Sequence, residues 1–198
     1  PVVLEKYVGL SLDPNSERNF GSLGLAISKF ETVIIAKRSK EFVINSKLDK
    51  KIEHIIKKLK KKYEIKPCEI SVLTSTPQHT GLGSGTQLAL SIGTILTKLS
   101  DKKVSSEELA NLLSRGKRSG IGIGCFNKGG FIVDGGKSEK SQKIPPILFN
   151  TSWPRKWKII LLFDHDLKGI HGAEEVMKFK KICRVNENFS KDNCKTLL

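Results

Sequence analysis

Hydrophobic and polar positions follow helical spacing in several parts of this chain. Apolar residues recur at steps of three and four over residues 48–63, which predicts an amphipathic helix with a lysine-rich outer face. A buried helix is predicted over residues 86–99. A third helix is expected from Ser105 to Gly116, where Ser105 and Glu108 form a capping box. A fourth is predicted over residues 173–183.

Shorter apolar runs between polar or glycine-rich breaks predict strands. These strands are expected over residues 2–12, 23–38, 41–45, 68–75, 131–134 and 158–163. A polar break at residues 29–31 predicts a hairpin within the second run. Residues 117–136 form a glycine-rich region, and residues 137–143 are expected to be a polar loop. Strands come first and are then mixed with helices, which predicts an α+β domain of two layers.

The composition fits a globular protein in a reducing compartment. The 198 residues are enough for a hydrophobic core, and no apolar run reaches the roughly 20 residues of a membrane span. The four cysteines lie far apart without a C-x-x-C motif, which favours isolated thiols and a cytoplasmic location over a zinc cluster or disulfide framework.

The formal net charge of +15 suggests an acidic partner or a lysine-rich surface. Many lysines fall on the exposed side of the helix predicted over residues 48–63, which favours the second interpretation there. Nucleic acid is not the favoured partner because the chain has only two Trp and two Tyr for stacking on bases.

Residues 76–90, TPQHTGLGSGTQLAL, carry the strongest chemical signal. Three glycines lead directly into a helix, so main-chain N–H groups and the positive end of the helix dipole can face an anion, most often a phosphate. The loop lacks the lysine of a P-loop and the glycine spacing of a dinucleotide fingerprint. A tight strand-to-helix turn is the alternative that this segment alone leaves open.

The stretch P-x-x-x-G-L-G-S-G-T resembles the central phosphate loop of the GHMP kinase superfamily. The longer string GLGSGTQLAL is similar to one branch of that superfamily, the β-ribofuranosylaminobenzene 5′-phosphate synthases, and Gln87 marks this branch. Three other stretches agree with it over most of residues 9–180. They are RNFGSLGLA from Arg18, the glycine-rich string of residues 115–136, and residues 153–179.

The resemblance implies an α+β fold like that of ribosomal protein S5 domain 2. It also implies a GHMP-type N-terminal phosphate-binding domain over residues 1–155 and the start of a truncated C-terminal domain over residues 156–198. In the family the second domain completes the substrate cleft, so the chain alone is expected to be inactive or impaired. The resemblance also suggests a homodimer, and the lysine-rich composition an archaeal source.

The branch is described as decarboxylating pentosyltransferases. They condense phosphoribosyl diphosphate (PRPP) with 4-aminobenzoate or 4-hydroxybenzoate, release diphosphate and CO2, and serve tetrahydromethanopterin biosynthesis. The family implies Mg²⁺ bound with the diphosphate and no tightly bound organic cofactor; the protein ligands of the metal stay unknown. An ATP-dependent small-molecule kinase of the same superfamily is the alternative function.

Candidate site residues follow from the residue chemistry together with this resemblance. The diphosphate would be held by the phosphate loop, with hydroxyl groups of Ser84 and Thr86 near Mg²⁺. The loop residues are Gly81, Leu82, Gly83, Ser84, Gly85 and Thr86. Arg115 and Arg118, beside Ser119 and Gly120, are candidates for the 5′-phosphate or the acceptor carboxylate. A basic helix end is the alternative interpretation of these arginines.

Four further residues are candidates at the reacting centre. Arg18 is expected to bind the acceptor carboxylate, and Asp13 to face positive charge on the amine or ring. Asp134 is a candidate for binding a sugar hydroxyl or Mg²⁺, with an aspartate-initiated turn as the alternative. His171 is a candidate for phosphate binding or for proton transfer from the ring.

Overall fold

The computed structural model describes residues 2–7, 18–19, 21–77, 81–138, 143–162 and 177. The strands are β1 (Val2–Tyr7), β2 (Arg18–Asn19), β3 (Ser22–Ile27), β4 (Val33–Arg38), β5 (Val43–Asn45), β6 (Cys68–Thr74), β7 (Phe131–Asp134), β8 (Lys137–Ser138) and β9 (Ile147–Thr151). The helices are α1 (Asp49–Lys60), α2 (Ser84–Leu99), α3 (Ser106–Leu112) and α4 (Ile121–Lys128). The predicted α+β class is confirmed.

Two main sheets carry the helices. The larger sheet has the antiparallel order β1-β3-β7-β9, and the smaller has the order β4-β6-β5. In the smaller sheet β5 runs parallel to β6, with α1 as the connection between them, while β4 is antiparallel to β6. The short strands β2 and β8 pair separately, with Arg18 opposite Ser138.

The main core lies between the helices and the smaller sheet. Each of α1 and α2 buries an apolar face, because apolar residues at steps of three and four lie on one side of a helix. The buried residues of this core include Ile52, Ile55, Ile56, Leu59, Ile70, Leu88, Ile92, Leu96 and Leu109. A smaller cluster of Ile121, Cys125 and Ile132 packs α4 on the larger sheet.

The predicted hairpin within residues 23–38 is wrong. Both of its strands exist, as β3 and β4, but they belong to different sheets. β3 pairs with β1 and β7, whereas β4 pairs with β6. The polar break at residues 29–31 therefore marks a crossing between sheets, where Phe30 adopts a positive φ of 60°.

The glycine-rich region hides a helix that the sequence did not predict. α4 forms over Ile121–Lys128 although Gly122 and Gly124 are poor helix formers. A Cβ at Gly124 would lie 3.0 Å from the Cδ1 atoms of Ile132 and Ile147. The glycines therefore permit close packing of the helix on its neighbours, and tertiary contacts outweigh local propensity.

The end of the described chain also differs from expectation. The predicted strand over residues 158–163 is wrong for residues 158–162, which have no strand pairing there. Ile160 and Leu162 are 84% and 92% exposed. Instead, the unpredicted strand β9 closes the larger sheet beside β7. The helix predicted over residues 173–183 falls outside the described residues, apart from the helical backbone of Met177.

The capping box predicted for α3 is half formed. Ser105 Oγ accepts a hydrogen bond from Glu108 N at 3.1 Å, as the motif requires. The Glu108 carboxylate does not return to the cap but accepts from Lys62 Nζ and Tyr63 OH at 2.5 and 2.6 Å. α3 ends at Leu112, before the expected stop at Gly116.

The described part of the chain contains two cysteines, and its helices can be compared with the length of a membrane span. Cys68 and Cys125 are buried, and neither forms a disulfide within the described chain. Burial raises the pKa of the Cys68 thiol. No helix among the described residues is long and apolar enough to cross a membrane.

Candidate phosphate-binding site

The glycine loop enters α2 through two residues in the left-handed backbone region. Gly81 has a φ of +75° and Gly83 a φ of +64°, which favour glycine because a Cβ would be strained there. Gly83 is the N-cap, and α2 begins at Ser84, two residues earlier than predicted. The N–H groups of Ser84 and Gly85 are therefore first-turn amides, which have no acceptor within the helix.

The start of α2 differs from those of α1 and α3, while α4 also begins at a glycine N-cap with no acidic residue in its first turn. The N-cap of α2 offers no side-chain hydrogen bond, and its first turn holds no acidic residue. α1 has Asp49 in its first turn, and α3 is capped by Ser105. An anion that met the first-turn amides and the positive dipole end of α2 would therefore replace a missing cap.

One arginine from the segment after α3 lies against this first turn. A Cβ placed on Gly85 would be 3.5 Å from Arg115 Nη1, so the guanidinium is next to the loop backbone. The Arg115 residue keeps exposed surface, but partial burial of its guanidinium lowers the pKa of the group from its ordinary value. Since an arginine stays protonated in proteins, Arg115 adds a positive charge beside the open helix end.

The starts of α2 and α4 touch each other. A Cβ at Gly122 would lie 3.0 Å from Thr86 Cγ2, and Gln87 Nε2 donates to the Gly122 carbonyl at 2.7 Å. Gln87 is only 1% exposed. This amide therefore ties the first turns of the two helices together.

The start of α4 already holds an internal anion. Asp134 is fully buried, and its carboxylate accepts four hydrogen bonds. The donors are Ser22 N at 3.1 Å, Ser22 Oγ at 2.9 Å, Gly120 N at 2.7 Å and Gly136 N at 3.0 Å. A carboxylate has about four lone-pair directions, so these donors use its accepting capacity. Ser119 Oγ accepts from Ile121 N at 3.0 Å and completes the cap.

These contacts bear on three of the predicted binding residues. Ser119, Gly120 and Asp134 do lie together, but each has a hydrogen bond within the protein: Gly120 N donates to Asp134, and Ser119 accepts from Ile121 N. The Asp134–Gly136 contact is the turn that the sequence left as the alternative for this aspartate. Binding of substrate by these three residues stays a prediction, and their internal bonds favour a structural role at the start of α4.

The structure describes only some of the other predicted site residues. The backbone of Arg18 lies in β2, opposite Ser138. Arg118 is half-buried on the approach to α4. Asp13 and His171 fall outside the described residues, so their roles stay predictions.

No group of three or more His, Cys, Asp or Glu side chains suited to a metal ion occurs within the described ranges. The hydroxyl oxygens near the loop are those of Ser84 and Thr86, and oxygen is the ligand atom that Mg²⁺ prefers. Thr76, which precedes the loop, is buried and donates from Oγ1 to the Phe30 carbonyl at 2.8 Å. This contact fixes the chain where β6 leads into the loop.

The fold and the loop define a class of protein. A family model described as the GHMP kinases N terminal domain matches residues 50–131, a range that runs from α1 into β7 and contains the glycine loop. The chain therefore contains the N-terminal domain that this superfamily shares.

Comparisons with individual proteins along most of the chain narrow the class to one family. The chain is 31% identical over 201 residues to the beta-ribofuranosylphenol 5′-phosphate synthase of Archaeoglobus fulgidus, covering 96% of this chain and 64% of the relative. It is 32% identical over 224 residues to the Methanocaldococcus jannaschii protein of the same name, covering 97% and 67%. The Methanothermobacter thermautotrophicus protein, also of that name, is 30% identical over 201 residues, with 87% and 60% covered.

The chain belongs to the beta-ribofuranosylphenol 5′-phosphate synthase family, which confirms the predicted resemblance. It spans about two thirds of the length of these relatives.

Sequence reasoning gave no structural role to two residues at this site. Gln87 was noted as a branch marker, but its bond to Gly122 depends on a helix that the sequence did not predict. Ser22 supplies two of the four donors to Asp134, 112 residues away. A buried polar residue inside an apolar helix is the signal that could have singled out Gln87, because such groups require partners.

Proposed function

We propose that this chain supplies the phosphate-binding domain of a PRPP-dependent, decarboxylating pentosyltransferase. The observation that carries the proposal is the uncapped start of α2, with the Gly81–Thr86 loop before it and the Arg115 guanidinium beside it. Family membership adds the chemical context, since the relatives are named for a ribofuranosyl phosphate product.

The loop suits the leaving group of that reaction. Breaking the bond between the ribose C1 and the diphosphate leaves the electron pair on the diphosphate, so negative charge grows there while the sugar becomes cationic. First-turn amides of Ser84 and Gly85, together with the guanidinium of Arg115, would stabilise that growing charge. Mg²⁺ carried on the diphosphate would neutralise part of it, with the loop hydroxyl groups as neighbours.

The acceptor must then form the bond to C1 that replaces the broken bond to the diphosphate. A ring carbon that carries a carboxylate forms the new bond to C1, and loss of CO2 returns the bonding pair to the ring. We propose Arg18 for the acceptor carboxylate and Asp13 for the positive charge. We propose His171 for phosphate binding or for proton transfer at the hydroxyl or amino group of the ring, since the attacked carbon loses CO2 and carries no proton. The word phenol in the relatives' names supports 4-hydroxybenzoate as the acceptor, with 4-aminobenzoate as its competitor.

The remaining parts of the proposal concern the location, pathway, domain organisation and oligomeric state of the enzyme. We propose a cytoplasmic enzyme that serves tetrahydromethanopterin biosynthesis, with residues 156–198 beginning a second domain and with a homodimeric state. The cytoplasmic location follows from the widely spaced cysteines. The other parts follow from the family rather than from a contact within the described chain.

An ATP-dependent kinase is the second candidate, because the matched family model is named for kinases. Titration calorimetry of the 198-residue chain with PRPP and Mg²⁺, and separately with ATP and Mg²⁺, distinguishes the two. We expect heat of binding with PRPP and none with ATP at the same concentrations. Binding of ATP alone would reject the transferase in favour of the kinase.

A matched pair of variants at the N-cap tests whether the loop is the site. Gly83→Asn and Gly83→Asp have nearly the same shape, and both residues tolerate a positive φ better than most. Only Gly83→Asp brings a negative charge to the loop, so PRPP affinity should fall at least tenfold below that of Gly83→Asn. Equal affinities would place the diphosphate elsewhere.

Turnover tests the acceptor. Carboxyl-labelled 4-hydroxybenzoate and 4-aminobenzoate are each incubated with PRPP and Mg²⁺, and released CO2 is counted. We expect release that depends on PRPP, and faster release from 4-hydroxybenzoate. If the chain binds PRPP but releases no CO2 from either acid, the 198 residues bind the substrate but do not form a complete active site.

A further inference from the structure

One buried acceptor in the first turn of α2 has no partner among the residues that the structure describes. Gln87 is 1% exposed, and its Nε2 donates to the Gly122 carbonyl at 2.7 Å. Its Oε1 has no hydrogen-bond partner among the described residues. Because the Gly122 carbonyl can only accept, the amide nitrogen must face it, and the oxygen must point to the other side.

Gln87 lies in the first turn of α2, directly after the last loop residue Thr86. Helical side chains lean toward the N-terminus of their helix and cover the turn before their own Cα. The turn before Gln87 starts at the N-cap Gly83, to whose carbonyl the Gln87 N–H is bonded at 3.2 Å. Since Gly83 has no side chain, none extends from that position toward the Gln87 amide.

Buried polar groups are nearly always hydrogen-bonded, so an orphan acceptor at this place requires an explanation. A phosphate oxygen would be repelled by Oε1, because both atoms are acceptors. A hydroxyl group of the ligand, by contrast, would donate to it. The loop therefore offers donors for phosphate on its main chain and one acceptor for a hydroxyl at its edge.

We infer that Gln87 is a specificity-determining residue, whose Oε1 accepts a hydrogen bond from the sugar hydroxyl adjacent to the phosphorylated carbon of the substrate. The inference rests on the proposed function, in which that group is the 2-hydroxyl of PRPP. In PRPP this hydroxyl sits on the carbon next to C1, and C1 carries the diphosphate that the loop would hold.

The test compares PRPP with its 2-deoxy analogue on wild-type protein, Gln87→Met and Gln87→Glu, each titrated calorimetrically with Mg²⁺. For the wild type, removal of the hydroxyl should weaken binding about tenfold, the size of one good neutral hydrogen bond. Gln87→Met has no acceptor, so it should bind both sugars with equal affinity. Gln87→Glu keeps an acceptor oxygen but loses the bond to Gly122, and it should still discriminate between the sugars.

The Thr97→Val variant is the matched control. Thr97 is a buried polar residue of the same helix, ten positions further along, whose Oγ1 donates to the Gly93 carbonyl at 2.8 Å. Its replacement should leave the tenfold preference for PRPP unchanged. If Gln87→Met does not fold, the test uses Gln87→Glu instead, with the same ratio of the affinity for PRPP to the affinity for its 2-deoxy analogue.

The outcomes separate this inference from the proposed function. Equal affinity of the wild type for the two sugars, or an unchanged tenfold ratio in Gln87→Met, would overturn the role of Gln87 while leaving PRPP binding intact. Loss of discrimination in Gln87→Glu would assign Gln87 a structural role through Gly122 only. Failure of the wild type to bind either sugar would overturn the proposed function, and this inference with it.

Discussion

Replacement of Asp134 by asparagine should destabilise the fold although the two side chains have the same shape. Asp134 Oδ1 accepts from Ser22 N and Gly136 N, while Oδ2 accepts from Ser22 Oγ and Gly120 N. An asparagine must place its NH2 group at one of these two oxygen positions. The Oδ2 position is less costly, because the Ser22 hydroxyl can turn to accept, but the Gly120 N–H then faces another donor.

The magnitude follows from the bonds that change. The variant loses the 2.7 Å bond from Gly120 N to a charged acceptor and leaves that buried N–H unpaired. A hydrogen bond to a charged group contributes about 1.5–3 kcal/mol, and a buried orphan costs about 1–3 kcal/mol, with overlap between the two. We expect Asp134→Asn to lower the free energy of unfolding by about 2–4 kcal/mol, which is roughly 5–15 °C in Tm for a chain of this size.

Urea unfolding followed by tryptophan fluorescence measures this change. Trp153 is a suitable probe because its ring lies 6.4 Å from that of Phe131, in the same strand as Asp134. Ser22→Ala removes one donor and keeps the carboxylate, so it should cost only about 1 kcal/mol. The control Glu64→Gln changes an exposed acid and should stay within about 0.5 kcal/mol of the wild type. An Asp134→Asn protein as stable as this control would refute the reasoning.

Three other outcomes are expected. Gly24→Ala should lower the free energy of unfolding by about 1–3 kcal/mol in urea, because its Cβ would lie 1.9 Å from Ile121 Cγ2; an unchanged midpoint would contradict this. The hydrogen bond from Lys66 is the largest cause of the lowered pKa of the Asp101 carboxyl. The ionised carboxylate therefore stabilises the folded state at neutral pH, and this stabilisation is lost as the pH falls below about 4. The stability difference between wild type and Asp101→Asn should therefore shrink from pH 7 to pH 3, and a constant difference would be a counterexample. Arg115→Lys should weaken PRPP binding about fivefold in calorimetry because the planar fork is lost, whereas equal affinity would remove Arg115 from the site.

The helices that pack on the smaller sheet were predictable because their pattern is local. Ile52, Ile56 and Leu59 follow helical spacing in α1, and all three are buried. The glycine loop could be located for the same reason, since the residues that shape it are contiguous. The prediction missed only its exact boundary, because α2 includes Ser84 and Gly85 in its first turn.

Features that depend on distant partners could not be predicted. α4 is held by contacts of Gly122 with Thr86 and of Gly124 with Ile132, which no window around the helix reveals. Residues 159–162 are apolar and have strand-like composition. A strand needs a neighbouring strand, and β propensity does not say whether one exists. The partners of Asp134 are likewise set by tertiary structure.

Sheet order also has a consequence for synthesis on the ribosome. The smaller sheet is complete once residue 74 has emerged, and α1 is already available to pack on it. β3 must wait for β7, whose last residue is Asp134, before its second edge is covered. At about 5–20 residues per second, translation leaves that edge open for roughly 5–20 s. During this interval the nascent chain presents an unpaired strand edge to other chains, so we expect early chaperone contact to concentrate on residues 22–27.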